Sequence, residues 1–261
     1  MMAPGTGRSS RYLGFVSVGL VLLGWFLITE DGLGLVKPVK FPSPRKVFEG
    51  AQVVSHVLAL DILVTMGRVL IGWGAGVLGG IAFGLLISFS AIARSFFHPL
   101  IEMIRPVPAI ALIPFFLMWF GISETGKFLL IFLMVVMYMI VNTVEAVSNV
   151  PPIYVRAAQA LGASPWQIFR RIICHAILPQ LIGPLRAGVA GAYTLAVAAE
   201  FMGGEYGVGY RMLEARRLFN TDVILMGVVL FGLMSGFTDW ALRKTMGHLT
   251  RWSERPVQRS T

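Results

Sequence analysis

Apolar residues in this chain gather into long stretches, and nearly all of its charge falls between or beyond them. A helix that crosses the hydrocarbon core of a bilayer needs about 20 residues, with roughly 17–25 as the usual range. Six stretches reach or approach that length: residues 13–28, 69–93, 106–122, 128–144, 181–202 and 223–242. The third and fourth are short, and a tight turn at 121–127 joins them. They could form one re-entrant pair. Two full spans are the expectation, because a tilted helix or a thinned bilayer accepts such lengths. The pattern predicts an all-α membrane protein with about six transmembrane helices.

Composition strengthens that reading. Hydrophobic residues make up 56% of the 261 positions and charged residues 13%, against about 45–50% and about 25% in soluble domains. A chain of this size cannot hide so much apolar surface in one water-soluble core. The net charge is +9. On a soluble protein that would suggest nucleic acid, but no Lys/Arg stripe with interleaved aromatics occurs, so the charge is read as loops that favour an anionic leaflet. Arg8 and Arg11 precede the first apolar stretch as in a signal peptide, yet Thr29, Glu30 and Asp31 follow it where a small-x-small cleavage site would stand. A retained membrane helix is expected. The single cysteine, Cys174, excludes an intramolecular disulfide or a cysteine-based zinc cluster.

Lys and Arg in the loops set orientation. With the N-terminus inside, the cytoplasmic side receives Arg8, Arg11, Arg94, Arg105, Arg156, Arg170, Arg171 and a basic tail from Arg243 to Arg259. The outer side receives Lys37, Lys40, Arg45, Lys46, Lys127, Arg211, Arg216 and Arg217, with Arg68 at a membrane edge. The balance favours N-in and C-in by a small margin. One membrane domain, 1–261, accounts for the chain, with a core at about 60–245 and a cytoplasmic loop at about 145–180. The first outer loop holds Pro38, Pro42 and Pro44, then a stretch at 44–63 that suits an amphipathic surface helix.

Two nucleotide-binding patterns occur and neither survives its context. Gly121 to Lys127 fits seven positions of a phosphate-binding loop, but the eighth, where Ser or Thr would ligate magnesium, is Phe128, and no strand precedes it. Gly74, Gly76 and Gly79 match a dinucleotide fingerprint formally, yet they lie in an apolar run where glycine recurs at 72, 76, 80 and 84. That spacing clears one helix face for a neighbouring backbone. Catalysis has as little support. His56, His98, His175 and His248 are scattered, and no Gly-x-Ser-x-Gly elbow occurs. Glu102, Glu145, Arg186, Glu200 and Asp239 are functional candidates as charges close to spans. Reaching interfacial water is their simpler role.

The loop is more specific. Residues 154–161 are short, Ala-rich and helical in pattern, and Gly162 suits a left-handed C-terminal cap. Ser164, Pro165 and Gln167 then supply an N-cap, a first-turn proline and a capping box for a second helix starting at Pro165. Pro179 marks the passage into the next span. Such a helix–turn–helix suits a groove on a soluble partner; it suits an amphipathic connector equally well.

Arg156-Ala157-Ala158-Gln159-Ala160-Leu161-Gly162-Ala163-Ser164, continuing to Ile177-Leu178-Pro179, resembles the "EAA" loop of binding-protein-dependent ABC importer permeases. Phe41-Pro42-Ser43-Pro44, Arg105-Pro106-Val107-Pro108, Pro114 through Trp119-Phe120-Gly121-Ile122, and Ala199-Glu200 with Gly207-Val208-Gly209-Tyr210 resemble the nitrate, taurine and aliphatic sulfonate branch. The similarity runs over about residues 41–245. Arg156 departs from the pattern, which has Glu there.

The resemblance implies a transport subunit without enzymatic activity, in the bacterial inner membrane, that passes a small solute by alternating access. It implies two copies in a homodimer within membrane lipid, and no nucleic-acid partner. A separate ATPase subunit would hold ATP and magnesium, leaving this chain without a cofactor, and an outer binding protein would deliver solute. The ATPase-coupling positions carried over are Arg156, Ala157, Ala158, Gly162, Ala163, Ser164 and Pro165, with Trp119, Tyr193 and Glu200 as candidates for the path. A sulfonate, nitrate, taurine or related anion is the implied solute. A pyrimidine or vitamin precursor, or a stand-alone carrier or channel, are the competing readings.

Overall fold

A computed structural model describes residues 9–29 and 31–249 of the chain. Arg8, Glu30 and the tail beyond residue 249, all used in the sequence reading, lie outside the described residues.

Every regular element among the described residues is helical. The order is α1 (Ser9–Ile28), α2 (Pro44–Val53), α3 (Ser55–Phe89), α4 (Ala91–Ile104), a 3-10 turn (Ala109–Leu112), α5 (Ile113–Phe120) and α6 (Glu124–Ser148). Then come α7 (Pro152–Ala160), α8 (Pro165–Ile168), a π segment (Phe169–Ile173), α9 (Cys174–Glu200), α10 (Val208–Arg217) and α11 (Thr221–Leu249). Among the described residues, four helices are long and apolar enough to cross a membrane: Ser55–Phe89, Glu124–Ser148, Pro165–Glu200 and Thr221–Gly247.

The central seam joins α3 to α6 in parallel, and the glycines make it possible. A Cβ at Gly72, Gly76, Gly80 or Gly84 would stand 2.8, 2.7, 2.5 or 2.7 Å from side-chain atoms of Ile131, Val135, Met139 and Thr143 respectively. The i, i+4 register of one helix meets the i, i+4 register of the other, so the backbones approach closely along three turns. α9 packs across this pair, and Val69, Ile131, Val135, Met139, Leu181 and Val189 fill the core between them. α11 closes the bundle against α9, α10 and α2. The end where α6 leaves and α9 begins is the loop end; the opposite end carries α10.

Three expectations change. The third stretch, 106–122, is not a straight span: α5 has eight residues, and the α4 segment Ile92–Ile104 meets Ala109–Phe120 at an 81° bend. Pro106 and Pro108 explain the break, since each lacks an amide proton and pushes the residue before it out of helical geometry. Only together are the two pieces long and apolar enough to make one broken span or a re-entrant loop. The surface helix expected at 44–63 stops at Val53, and the rest joins the second span, which begins at Ser55 rather than near residue 69. Pro179 does not end the loop: the helix from Pro165 runs through it and through Pro184 to Glu200. α1 exposes apolar side chains on most of its surface, as a lipid-facing helix does.

Candidate functional site

The loop folds as its residues dictate. α7 ends at Ala160, and Gly162 takes φ +78°, the left-handed cap that a side chain would strain. The amide of Ala163 then closes on the carbonyl of Ala158 at 3.0 Å. Ser164 Oγ accepts from the amide of Gln167 at 3.3 Å, and Gln167 Oε1 accepts from the amide of Ser164 at 2.8 Å, with Pro165 at the first helical position. The capping box is therefore complete. Between the two helices, Leu161 is 88% exposed and Gly162 has no neighbour within 4 Å of where a side chain would start.

Inward-facing contacts fix the loop to the bundle. Ala158 and Ile168 are buried. The Phe89 ring at the end of α3 meets Phe169 at 5.0 Å and Trp166 at 6.0 Å, both edge-on, a favoured aromatic geometry. Of the expected coupling positions, Arg156, Ala157, Gly162, Ser164 and Pro165 are exposed, Ala163 is half-buried and Ala158 faces inward. Arg156 projects to the surface, where a positive charge costs the fold little.

A second constellation lies at the opposite end. Arg68 donates through Nη1 to Glu200 Oε1 at 2.7 Å, and through Nε and Nη2 to the two oxygens of Glu124 at 2.5 and 2.6 Å. Glu200, fully buried, also accepts from Thr65 Oγ1 at 2.8 Å and from the amide of Gly209 at 2.7 Å. Thr65 Oγ1 accepts from the amide of Val208 at 3.0 Å, and Asp61 accepts from the amide of Gly207 at 2.8 Å and from Arg211 Nε at 2.7 Å. Lys127, also buried, pairs with Glu124 at 3.0 Å.

The first turn of α10 is thus held by α3 and α9, whose oxygens satisfy amides that helix geometry leaves without partners. Gly207 is needed because a Cβ there would stand 2.6 Å from Glu200 Cδ and 2.7 Å from Arg68 Nη1. Burial works against the Arg211 charge, but Asp61 and Glu214 outweigh it and hold the guanidinium pKa above its ordinary value. Lys127, the lysine of the phosphate-loop pattern, is engaged here within the fold.

The three residues named for a path are placed apart. Tyr193 is buried and donates to Thr238 Oγ1 at 2.9 Å, since that hydroxyl itself donates to the Met234 carbonyl. Glu200 belongs to the ion cluster. Trp119, on α5, is 66% exposed, with its ring 4.6 Å from that of Phe115 and tilted 36° to it. Sequence reasoning missed Thr65 and Glu124 as partners of Glu200 and Arg68, and Asp61 as the partner of Arg211 and the Gly207 amide. Asp61, Thr65 and Arg68 share one helix face at i, i+4 and i+7, a signal that was available.

Residues 76–244 match the family model of the binding-protein-dependent transport system inner membrane component. The chain is 34% identical over 253 residues to a probable ABC transporter permease protein of Brucella abortus (strain 2308), covering 96% of this chain and 98% of that one. It is 30% identical to the taurine transport system permease protein TauC of Escherichia coli (strain K12), over 90% of this chain and 88% of TauC. It is 28% identical to an aliphatic sulfonates transport permease protein of Bacillus subtilis (strain 168), SsuC, a provisional name, over 95% and 90%. Its fold is similar to a chain of the MetNI methionine ABC transporter in an inward-facing conformation, with TM-score 0.60, 16% identity, and 77% of this chain and 98% of that chain covered. The membrane-length helices agree with these matches, and the chain belongs to the family of binding-protein-dependent transport system inner membrane components, the permease subunits of ABC importers.

Proposed function

We propose that this permease imports a small sulfonate or similar anion, and that its 145–180 loop is the surface on which the ATPase subunit acts. A permease of this family works with a separate ATPase and with an extracytoplasmic binding protein in the inner membrane. The names of the taurine and sulfonate relatives support the solute class.

The observation that carries the coupling reading is the loop's tip. Leu161 and Gly162 stand free between two capped helices, while Ala158, Ile168 and the Phe89 ring cluster tie the base of the loop to the bundle. An apolar side chain so exposed at a rigid tip suits insertion into a partner's groove. The loop end is then cytoplasmic. The Lys/Arg count supports this orientation, favouring N-in and C-in by a small margin.

Two copies of the chain would face one another across a solute path, with membrane lipid around them. Exposed apolar residues on α4 and α5, Trp119 among them, offer the surface for that contact. The whole chain acts as one permease domain in this reading.

Co-purification with the ATPase subunit tests it. Wild type should retain the ATPase in mild detergent, while Leu161→Asp and Gly162→Trp should lose it with the helical content unchanged. An ATPase that stays bound to both variants would refute the docking role. Uptake of labelled taurine and ethanesulfonate by the reconstituted importer tests the solute class, and transport of neither would refute that part alone.

A further inference from the structure

Between the final turns of α3 and α6 and the length of α4 lies an open cleft of about 330 Å3. Five ionisable side chains line it: Arg94, His98, Glu102, Arg105 and Glu145. The rest of its wall is Ser148 and the apolar side chains of Ile87, Ile101, Val141 and Val144.

These charges do not satisfy one another. Eight ion pairs elsewhere in the fold close to between 2.5 and 3.0 Å. In the cleft one pair forms, Arg105 to Glu102, and it stands at 3.9 Å. Arg94 gives one bond to the Ser88 carbonyl at 2.9 Å, which leaves most of its five donor hydrogens free. Among the described residues, Glu145 and His98 have no side-chain hydrogen-bond or ion-pair partner. Opposite charges that share a cleft, yet remain apart, leave both signs available to a ligand.

We infer that this cleft binds a zwitterionic aminosulfonate and is the solute's last station before release, an inference that rests on the proposed import of a sulfonate. Two guanidinium groups supply the planar arrays of N–H donors that suit a sulfonate's oxygens. Two carboxylates supply acceptors for an ammonium group, and the apolar wall suits the short methylene linker between the two charges. An alkylsulfonate would satisfy the arginines and leave the carboxylates facing an anion without a counter-charge. Discrimination arises from that mismatch. The relatives' names leave open both an aminosulfonate and a plain alkylsulfonate; the lining of the cleft selects the former.

Saturation-transfer NMR on the permease–ATPase complex in phosphatidylcholine nanodiscs, without nucleotide or binding protein, tests the inference. The probes are taurine and ethanesulfonate, which differ at the ammonium group. Wild type should bind taurine about tenfold more tightly than ethanesulfonate, the scale of one charged hydrogen bond. Arg105→Gln should weaken both probes. Glu145→Gln should weaken taurine about tenfold and leave ethanesulfonate bound, which shows that the variant is folded; Glu145→Asp should restore the preference. No taurine signal in wild type, equal signals from the two probes, or a preference that survives Glu145→Gln would each overturn the inference. Uptake of labelled taurine and ethanesulfonate by the reconstituted wild-type importer separates the two readings: uptake without binding in the cleft overturns this inference alone, and uptake of neither overturns the sulfonate reading on which it rests.

Discussion

Replacing Gly80 by Ala is a stringent test of the α3–α6 seam. The added Cβ would stand 2.5 Å from Met139 Cβ and 2.8 Å from the Val136 carbonyl oxygen. Carbon atoms pack best at about 3.5–4.0 Å, so the contact is about 1 Å too close. The Met139 Cβ cannot swing aside as the end of a long side chain would, and the carbonyl belongs to the helix backbone. Relief therefore requires α6 to move off α3, which also loosens the contacts at Gly72, Gly76 and Gly84. Overpacking in a core costs about 1–3 kcal/mol, and a clash with backbone belongs at the upper end. Ala improves helix propensity over Gly by about 1 kcal/mol, which leaves a net loss of about 2 kcal/mol.

Gly74 lies on the same helix with nothing within 4 Å of its Cβ position. Gly74→Ala receives the propensity gain without the clash, so the two variants should differ by about 3 kcal/mol. Unfolding by SDS titration from mild detergent measures the difference. Equal midpoints for Gly80→Ala and Gly74→Ala would show that the seam is not held by close backbone approach, and the reasoning would fail.

Three further outcomes are expected. Arg68→Met should destabilise the protein by about 3–5 kcal/mol, because it leaves the Glu200 carboxylate buried without its guanidinium, and adding Glu200→Gln should recover much of the loss; unfolding titrations of the two single variants and the double variant check this. Ser164→Ala should remove the capping box at a cost of about 1 kcal/mol and weaken ATPase retention without abolishing it, as read by quantitative co-purification. Phe219, 80% exposed with φ +58°, holds a left-handed conformation that a bulky side chain disfavours, so Phe219→Asn should raise the unfolding midpoint by an amount equivalent to about 1 kcal/mol.

How much of this was legible depended on the range over which each signal acts. The glycine register at 72, 76, 80 and 84 can be read from spacing alone, because a bare helix face has few other uses in lipid. Gly162 and the Ser164–Gln167 box act within four residues, and the structure places them as the sequence implies. The ion cluster was hidden by sequence distance. Arg68 meets Glu124 and Glu200 across 56 and 132 positions, and Asp61 meets Arg211 across 150. Beginning the span at residue 69 made Arg68 an edge residue, whereas α3 begins at Ser55 and carries Arg68 inward. The third stretch failed for a different reason. Hydropathy averages over Pro106 and Pro108, so it registers apolar length and misses the 81° bend.

If the 145–180 loop is the coupling surface proposed above, the positions of the two constellations constrain how work would pass through the chain. The loop is joined to the end of α3 by the Phe89 ring cluster and leads directly into α9, while the opposite ends of α3, α6 and α9 are joined by Arg68, Glu124 and Glu200. Between these joints runs the glycine seam, where close packing resists sliding. A displacement at Leu161 therefore acts on a column fixed at both ends, and moving one end moves α10 at the other, because its first turn is bonded to Asp61, Thr65 and Glu200. By contrast, α4 and α5 meet at a proline-marked bend and keep much of their apolar surface exposed. Relative motion is least costly where contacts are fewest. In the proposed function, alternating access by two paired copies would be served by α3, α6, α9 and α10 moving as one body, with the bend before α5 or the contact between the copies accommodating the change.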